Sequence, residues 1–155
     1  MEKGIQITRT FEAPVSAVWR AWTEPEGLMG WWGPKDFTSP AARIDLKVGG
    51  KYLFTMRSPE GQDFYSTGVY KEIEPMKKLV FTDCFSDEHG NVVPASMYGM
   101  GDDVPDEFLF TIEFEDMGGK TRMDILHTGM PPGEDLEMSR TGLIQMMDKL
   151  QTILE

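Results

Sequence analysis

The sequence predicts an α+β domain in which a curved antiparallel sheet of about six or seven strands surrounds a long C-terminal helix. Three observations predict it. Period-two alternation recurs along the chain, clearest in EFLFTIEFED, where Phe108, Phe110, Ile112 and Phe114 oppose Leu109, Thr111, Glu113 and Glu115. The alternating segments follow one another through short glycine-bearing turns, VGG, PEGQ and MGGK. After Pro131-Pro132 the period changes to helical, with Leu136, Leu143, Met147, Leu150 and Leu154 on one stripe and Met146 and Ile153 beside it. One apolar sheet face and one apolar helix stripe need each other as cover.

The elements follow in order. IQITRTFEAP alternates Ile5, Ile7, Arg9 and Phe11 against Gln6, Thr8 and Thr10, a strand with one buried face. Pro14 suits a helix start, and Val15, Val18, Trp19 and Trp22 continue at helical spacing. TEPE reads as a capping box for a second short helix, with Thr23 as cap, Glu26 reaching back, and Leu28, Trp31 and Trp32 as its apolar side up to Gly33-Pro34. FTSPAARIDL leads to VGG, then KYLFTMRS puts Tyr52, Phe54 and Met56 on one face. Gly61 in PEGQ suits a positive φ at a hairpin. DFYSTGVYKEIEP is a long strand in which Gly68 marks a bulge or a close approach. KLVFTDCF places Leu79, Phe81, Asp83 and Phe85 opposite Val80, Thr82 and Cys84. Residues 86–106 form the longest irregular piece, with a short strand expected around Val92 to Tyr98. TRMDILHTGMP brings Met123, Ile125 and His127 to one face. The terminal helix, at about 30 Å, is long enough to cross a sheet. There is no repeat or linker, so residues 1–155 read as a single domain.

Composition excludes several function classes. A formal net charge of −11 argues against nucleic-acid backbones and anionic membrane surfaces as partners. No apolar run approaches a membrane span, and MEKGIQITRTF lacks a signal-peptide core. Cys84 is the only cysteine, which rules out an internal disulfide and makes a reducing cytoplasm the expected location. Twelve methionines, most of them in the second half, provide soft filling for irregular space or a soft-walled cavity.

Four ordered motifs carry a family resemblance: APVSAVWRAWTEPEGLMGWWGP, DLKVGGKYLFTM, GVYKEIEPMKKLVFT and TGLIQMMDKLQTIL. Together they span nearly the whole chain and resemble small proteins related to the C-terminal domain of the activator of the heat-shock-protein-90 ATPase. That family lies in the START-like, or SRPBCC, superfamily. The resemblance implies a helix-grip fold, often with a hydrophobic cavity between sheet and helix, and superfamily members bind lipids, hormones, polyketides and other apolar ligands. Some are enzymes. One departure is Gly142-Leu143, where the family's terminal helix usually carries Gly-Trp. It implies either a larger cavity or compensation by Met146 and Met147.

No strong catalytic motif is present. GKTRMD lacks the glycines of a phosphate loop. His89 and His127 are not at metal-ligand spacing to each other or to Cys84, so no metal and no cofactor are expected. Asp102, Asp103 and Asp106 lack calcium-loop spacing and read as a solvated acidic loop. His127 is in phase with Met123 and Ile125. It reads either as a core histidine satisfied by a backbone carbonyl or as a polar handle on a cavity wall. Arg9, also in apolar phase, is expected to pair with Asp83, with a clamp on a ligand carboxylate as the alternative. Cys84 reads as a packed or surface thiol. Trp19 and Trp22 read as core. Trp31 and Trp32, about 100° apart on a helix, point different ways, and Trp32 is taken as the ligand-facing one.

The expected function is binding of a small hydrophobic or amphipathic molecule. The expected wall is Trp32, Phe54, Met56, Phe81, Phe110, Ile112, Met123 and Ile125, closed by Leu143, Met146, Met147 and Leu150, with His127 as polar contact. A co-chaperone-like module binding a chaperone partner is the second expectation. An enzyme using His127 or Asp83 on a cavity-bound substrate is the third.

Overall fold

The computed structural model describes residues 4–101 and 104–155. Seven antiparallel strands form one curved sheet in the spatial order β1-β7-β6-β5-β4-β3-β2. The strands are β1 (Gly4–Phe11), β2 (Ala42–Ile44), β3 (Lys51–Arg57), β4 (Asp63–Glu74), β5 (Lys78–Ser86), β6 (Phe108–Asp116) and β7 (Thr121–Thr128). Helices α1 (Val15–Thr23) and α2 (Pro25–Met29) follow β1, and α3 (Glu134–Leu154) closes the chain. From β2 to β7 the strands meander between sequence neighbours. The chain then returns so that β1 pairs with β7, in register Ile5↔His127, Ile7↔Ile125 and Arg9↔Met123. This is the expected helix-grip architecture.

The concave face follows from the phase of each strand. Cross-strand pairs Phe81↔Phe110, Leu79↔Ile112, Phe110↔His127 and Ile112↔Ile125 stack one apolar layer across three strands. Helix α3 lays Leu143, Met147 and Leu150 on it, all nearly fully buried. With no side chain capping its start, α3 instead carries Glu134, Asp135 and Glu137 in its first turn, where carboxylates favour the positive end of the helix dipole.

All four tryptophans are core. Trp22 packs edge-on to Trp31 at 4.6 Å, and its Nε1–H points at the Met123 sulfur at 3.2 Å. The Trp31 Nε1–H donates to the Ala21 carbonyl at 2.9 Å, so this fully buried indole leaves no polar atom unpaired. Trp32 continues the chain of rings to Phe54 at 5.0 Å.

Four local expectations are corrected, and one pair of alternatives is decided. The capping box does not form. Glu24 stands at the N-cap of α2 without a side-chain bond, and the Thr23 hydroxyl bonds back to the Trp19 carbonyl at 2.8 Å, its own helix being the nearer acceptor. Helix α2 stops at Met29, so Trp31 and Trp32 lie in the turn after it rather than on its face. FTSPAARIDL yields only the three-residue β2 plus an isolated bridge from Thr38 to Arg57, because Pro40 interrupts pairing. The expected strand near Val92 is a single bridge, Ser86↔Val92, followed by a 3-10 turn over Ala95–Tyr98. Gly68 is the close approach rather than the bulge, and the register shift comes later, between Tyr70 and Glu72.

The loop after Trp32 is locked to α3 from one point. The Lys149 ammonium donates to the carbonyls of Gly33 at 2.8 Å, Phe37 at 3.1 Å and Pro34 at 3.5 Å, and burial lowers its pKa. Three carbonyls around one cation do the work of a helix cap. Lys149→Met keeps the aliphatic stem and removes these bonds, so a stability loss of about 2 kcal/mol is expected in chemical denaturation. A loss below a few tenths would show the lock to be idle.

Candidate functional site

The concave face is closed at its centre and half-open at one end. Phe54, Phe81, Phe110, Ile112, Met123, Ile125, Leu143, Met147 and Leu150 are all nearly fully buried. Side chains this enclosed border no water-sized void. Met56 and Met146 are half-buried, and Trp32 and His127 are buried at the margin of this packed centre. The structure therefore brings the expected wall residues together as one cluster, His127 excepted, and the middle of that cluster is filled by its own side chains.

The half-open end is built by residues in phase with the wall. Phe64 pairs with Met56, Ser66 with Phe54 and with Phe85, and Asp83 with Phe108. Phe64, Ser66, Asp83 and Phe85 are each half-buried, next to neighbours that are closed. Residues 86–101 run over this end. Tyr98 packs on Phe64 and Phe85 at 5.2 and 5.8 Å, its hydroxyl donates to the Ser86 carbonyl at 2.5 Å, and the Gly101 N–H donates to Asp135 on α3 at 3.1 Å. A second small core of Ala95, Val104, Phe108 and Met130 lies beneath this cover. Of the acidic loop residues, Asp102 and Asp103 lie outside the described residues, and Asp106 is exposed.

Two polar groups interrupt this apolar surface. The first is Asp83, and it does not pair with Arg9. Arg9 reaches past the sheet edge to α3, 2.6 Å from Asp148 and 3.3 Å from Gln151, because its long stem on an edge strand lets the guanidinium meet water and a surface carboxylate. Asp83 is held by Tyr52, whose hydroxyl lies 2.7 Å from Oδ1 and 2.8 Å from the Thr82 carbonyl. Gly68 makes this contact possible. It pairs with Tyr52, and a Cβ there would lie 1.8 Å from the Thr82 oxygen and 2.9 Å from the Tyr52 ring. The Val69 N–H turns to the Thr82 hydroxyl at 2.9 Å.

Burial pushes the Asp83 carboxyl up to about 7, against the opposing hydrogen bond from Tyr52, and burial followed by the nearby Asp83 raises the Tyr52 phenol. A phenol has one proton. When Asp83 is protonated it donates to Tyr52, which donates to Thr82. When it is ionised, Tyr52 turns its proton to the carboxylate.

The second polar group is His127. Its ring lies 4.4 Å from Phe110 and 5.2 Å from Phe108, and its Nδ1 is buried with no hydrogen-bond partner among the described residues. No backbone carbonyl satisfies it. Burial lowers its pKa to about 4, so the imidazole is neutral at physiological pH. Cys84 points to the opposite side as a packed thiol, its pKa raised to about 11 first by burial. No group of three His, Cys, Asp or Glu among the described residues is placed to hold a metal ion. Two hollows of about 380 and 370 Å³ lie elsewhere, one beside Lys35 and Lys149, the other on the outer face around Thr8 and Arg122.

Residues 12–155 match the family described as Activator of Hsp90 ATPase homolog 1-like protein. The chain belongs to this family. Solved structures agree along its length. A protein from Chromobacterium violaceum is 25% identical with a TM-score of 0.80, covering 97% of this chain and 96% of its own. One from Nitrosomonas europaea is 28% identical with a TM-score of 0.77, covering 97% and 92%. The AHSA1 protein from Silicibacter pomeroyi, at 21% identity and a TM-score of 0.75 over 97% and 96%, shares the fold. No curated protein matches the chain.

Of the two expectations at Gly142-Leu143, a larger cavity or compensation by Met146 and Met147, the local packing favours the second. Leu143 is buried, Met147 fills the next turn, and the Met146 sulfur accepts from the Gly33 N–H at 3.1 Å. Sequence reasoning missed the Tyr52–Asp83 pair and the Phe64, Ser66 and Phe85 patch. The available signal was phase: Asp83 and Phe85 alternate with Phe81, as Tyr52 does with Phe54.

Proposed function

We propose that this chain binds a small apolar or amphipathic molecule at the half-open end of the concave face, beneath residues 86–101 and beside α3. One observation carries the reading: a buried imidazole nitrogen with no partner, set in an aromatic surface. Leaving such a group unsatisfied costs about 1–3 kcal/mol, and a ligand hydroxyl or amide would remove that cost. Met56, Phe64 and Phe85 supply apolar contact, half-buried Met146 borders it from the helix with Leu143 in the packed layer behind, and Trp32 stands at its margin. The packed centre from Ile112 to Leu150 acts as floor. The single buried thiol and the lack, among the described residues, of a helix long and apolar enough to cross a membrane fit work in the cytoplasm.

Titration with the neutral apolar fluorophore N-phenyl-1-naphthylamine tests this. Saturable one-to-one binding to the folded protein is expected, weakened at least several-fold by Leu143→Trp, which adds an indole where α3 meets the sheet. Absent or non-saturable binding overturns the reading, and so does binding that Leu143→Trp leaves unchanged.

The family description favours a second reading, a protein-binding module for the chaperone ATPase. Purified chaperone showing neither association with this chain nor a change in ATPase rate would remove it.

A further inference from the structure

We infer that the molecule bound at the half-open end is an amine, held through its ammonium group by the carboxylate of Asp83 with its apolar body on Phe85, Phe64 and Met56. The inference rests on the ligand-binding reading and adds a chemical class to it.

Asp83 is a carboxylate on an apolar, aromatic face, retaining solvent contact while its face neighbours Phe81, Tyr52 and Phe108 are closed. One oxygen meets the Tyr52 hydroxyl, and no described residue donates to the other. No described Lys or Arg forms an ion pair with it. Each basic residue whose phase or helix position could bring it there is engaged elsewhere: Arg9 with Asp148, Arg140 with Glu137 at 3.6 Å, and Lys149 with three carbonyls. The sequence adds an independent observation. No lysine or arginine occurs between Lys78 and Lys120, the stretch that contains β5, the covering loop and β6. The part of the half-open end contributed by Asp83, Phe85 and the covering loop therefore comes from a segment that carries acids and no strong base, in a chain of net charge −11 that attracts cations.

A carboxylate set in an apolar face without a cation is costly even where one side meets water, and an ammonium beside it restores the balance. Aromatic rings flanking a carboxylate also favour a cation over a neutral group of the same shape. A ligand carboxylate or phosphate would meet Asp83 as a like charge. Burial already holds the Asp83 proton to near-neutral pH, and an adjacent ammonium would favour the ionised form.

Calorimetric titration with a matched pair, 2-phenylethylamine and 2-phenylethanol, reads this directly. The wild-type protein is expected to bind the amine at least tenfold tighter than the alcohol. Asp83→Asn keeps the size and the contact to Tyr52, and should bring that ratio close to one. Equal affinities in the wild type overturn the amine assignment, as does a ratio that survives Asp83→Asn. If N-phenyl-1-naphthylamine binds and neither phenyl probe does, the amine assignment fails alone. If none of the three binds, the ligand-binding reading fails with it.

Discussion

Gly68→Ala is expected to destabilise the protein by about 3–5 kcal/mol. The new Cβ would lie 1.8 Å from the Thr82 oxygen and 2.6 Å from its carbon. Both are backbone atoms of a paired central strand, so neither can rotate away. β4 and β5 must separate locally, and the Tyr52 ring, 2.9 Å from the same Cβ, must also give way. Displacing that ring would break the Tyr52 contacts to Asp83 and Thr82 and open the stack of Tyr52 on Phe54. For a domain of this size each kcal/mol moves the melting temperature by about 2–4 °C, so a fall of about 10 °C is expected. Tyr52→Phe, which keeps the ring and loses only the hydroxyl, should cost about 1–2 kcal/mol. If Gly68→Ala is no worse than Tyr52→Phe, the close approach is not rigid.

The second large effect is a pair of opposite pH dependences. Asp83 is held at about 7 in the fold, against about 3.9 for an unfolded chain. The folded protein therefore binds this proton more tightly. The resulting stability is full below about pH 4 and is lost as pH rises through 7. His127 runs the other way, at about 4 in the fold against about 6.5 unfolded. Its contribution is full above about pH 6.5 and is lost as pH falls through 4. Across pH 4 to 7 the two slopes oppose each other. Removing either group should reveal the other. Stability of Asp83→Asn is expected to rise between pH 4 and 6.5, relative to wild type. Stability of His127→Phe is expected to fall between pH 4 and 7 on the same comparison. Each change is up to roughly 3 kcal/mol, readable from urea midpoints at four pH values. Parallel profiles for wild type and both variants would mean that these groups are not as enclosed as the structure places them.

The fold was legible because its signals are periodic and repeated. The alternation in β6 and the stripe on α3 are set by which residues must leave water, and tertiary packing reinforces both. The capping box failed because Thr23 has a competing acceptor four residues back in its own helix, a choice that sequence spacing leaves open. Arg9 and Asp83 shared a phase yet never met: phase assigns a face, while their partners depended on which strand lies at the sheet edge. The site was legible only as an apolar face with one histidine on it. Where that face is filled and where it opens depends on how residues 86–101 fold over Phe64 and Phe85, and no period runs through that segment. Even so, Gly68 was marked in the sequence as a bulge or a close approach, and it is the residue that lets Tyr52 reach Asp83.

Native mass spectrometry of the purified protein, followed by denaturing extraction, tests the central claim most directly. The account predicts a reproducible bound mass of small-molecule size, carrying an amine, released on denaturation and depleted in Leu143→Trp. A protein that flies only at its own mass, and that binds neither N-phenyl-1-naphthylamine nor 2-phenylethylamine on addition, would contradict it.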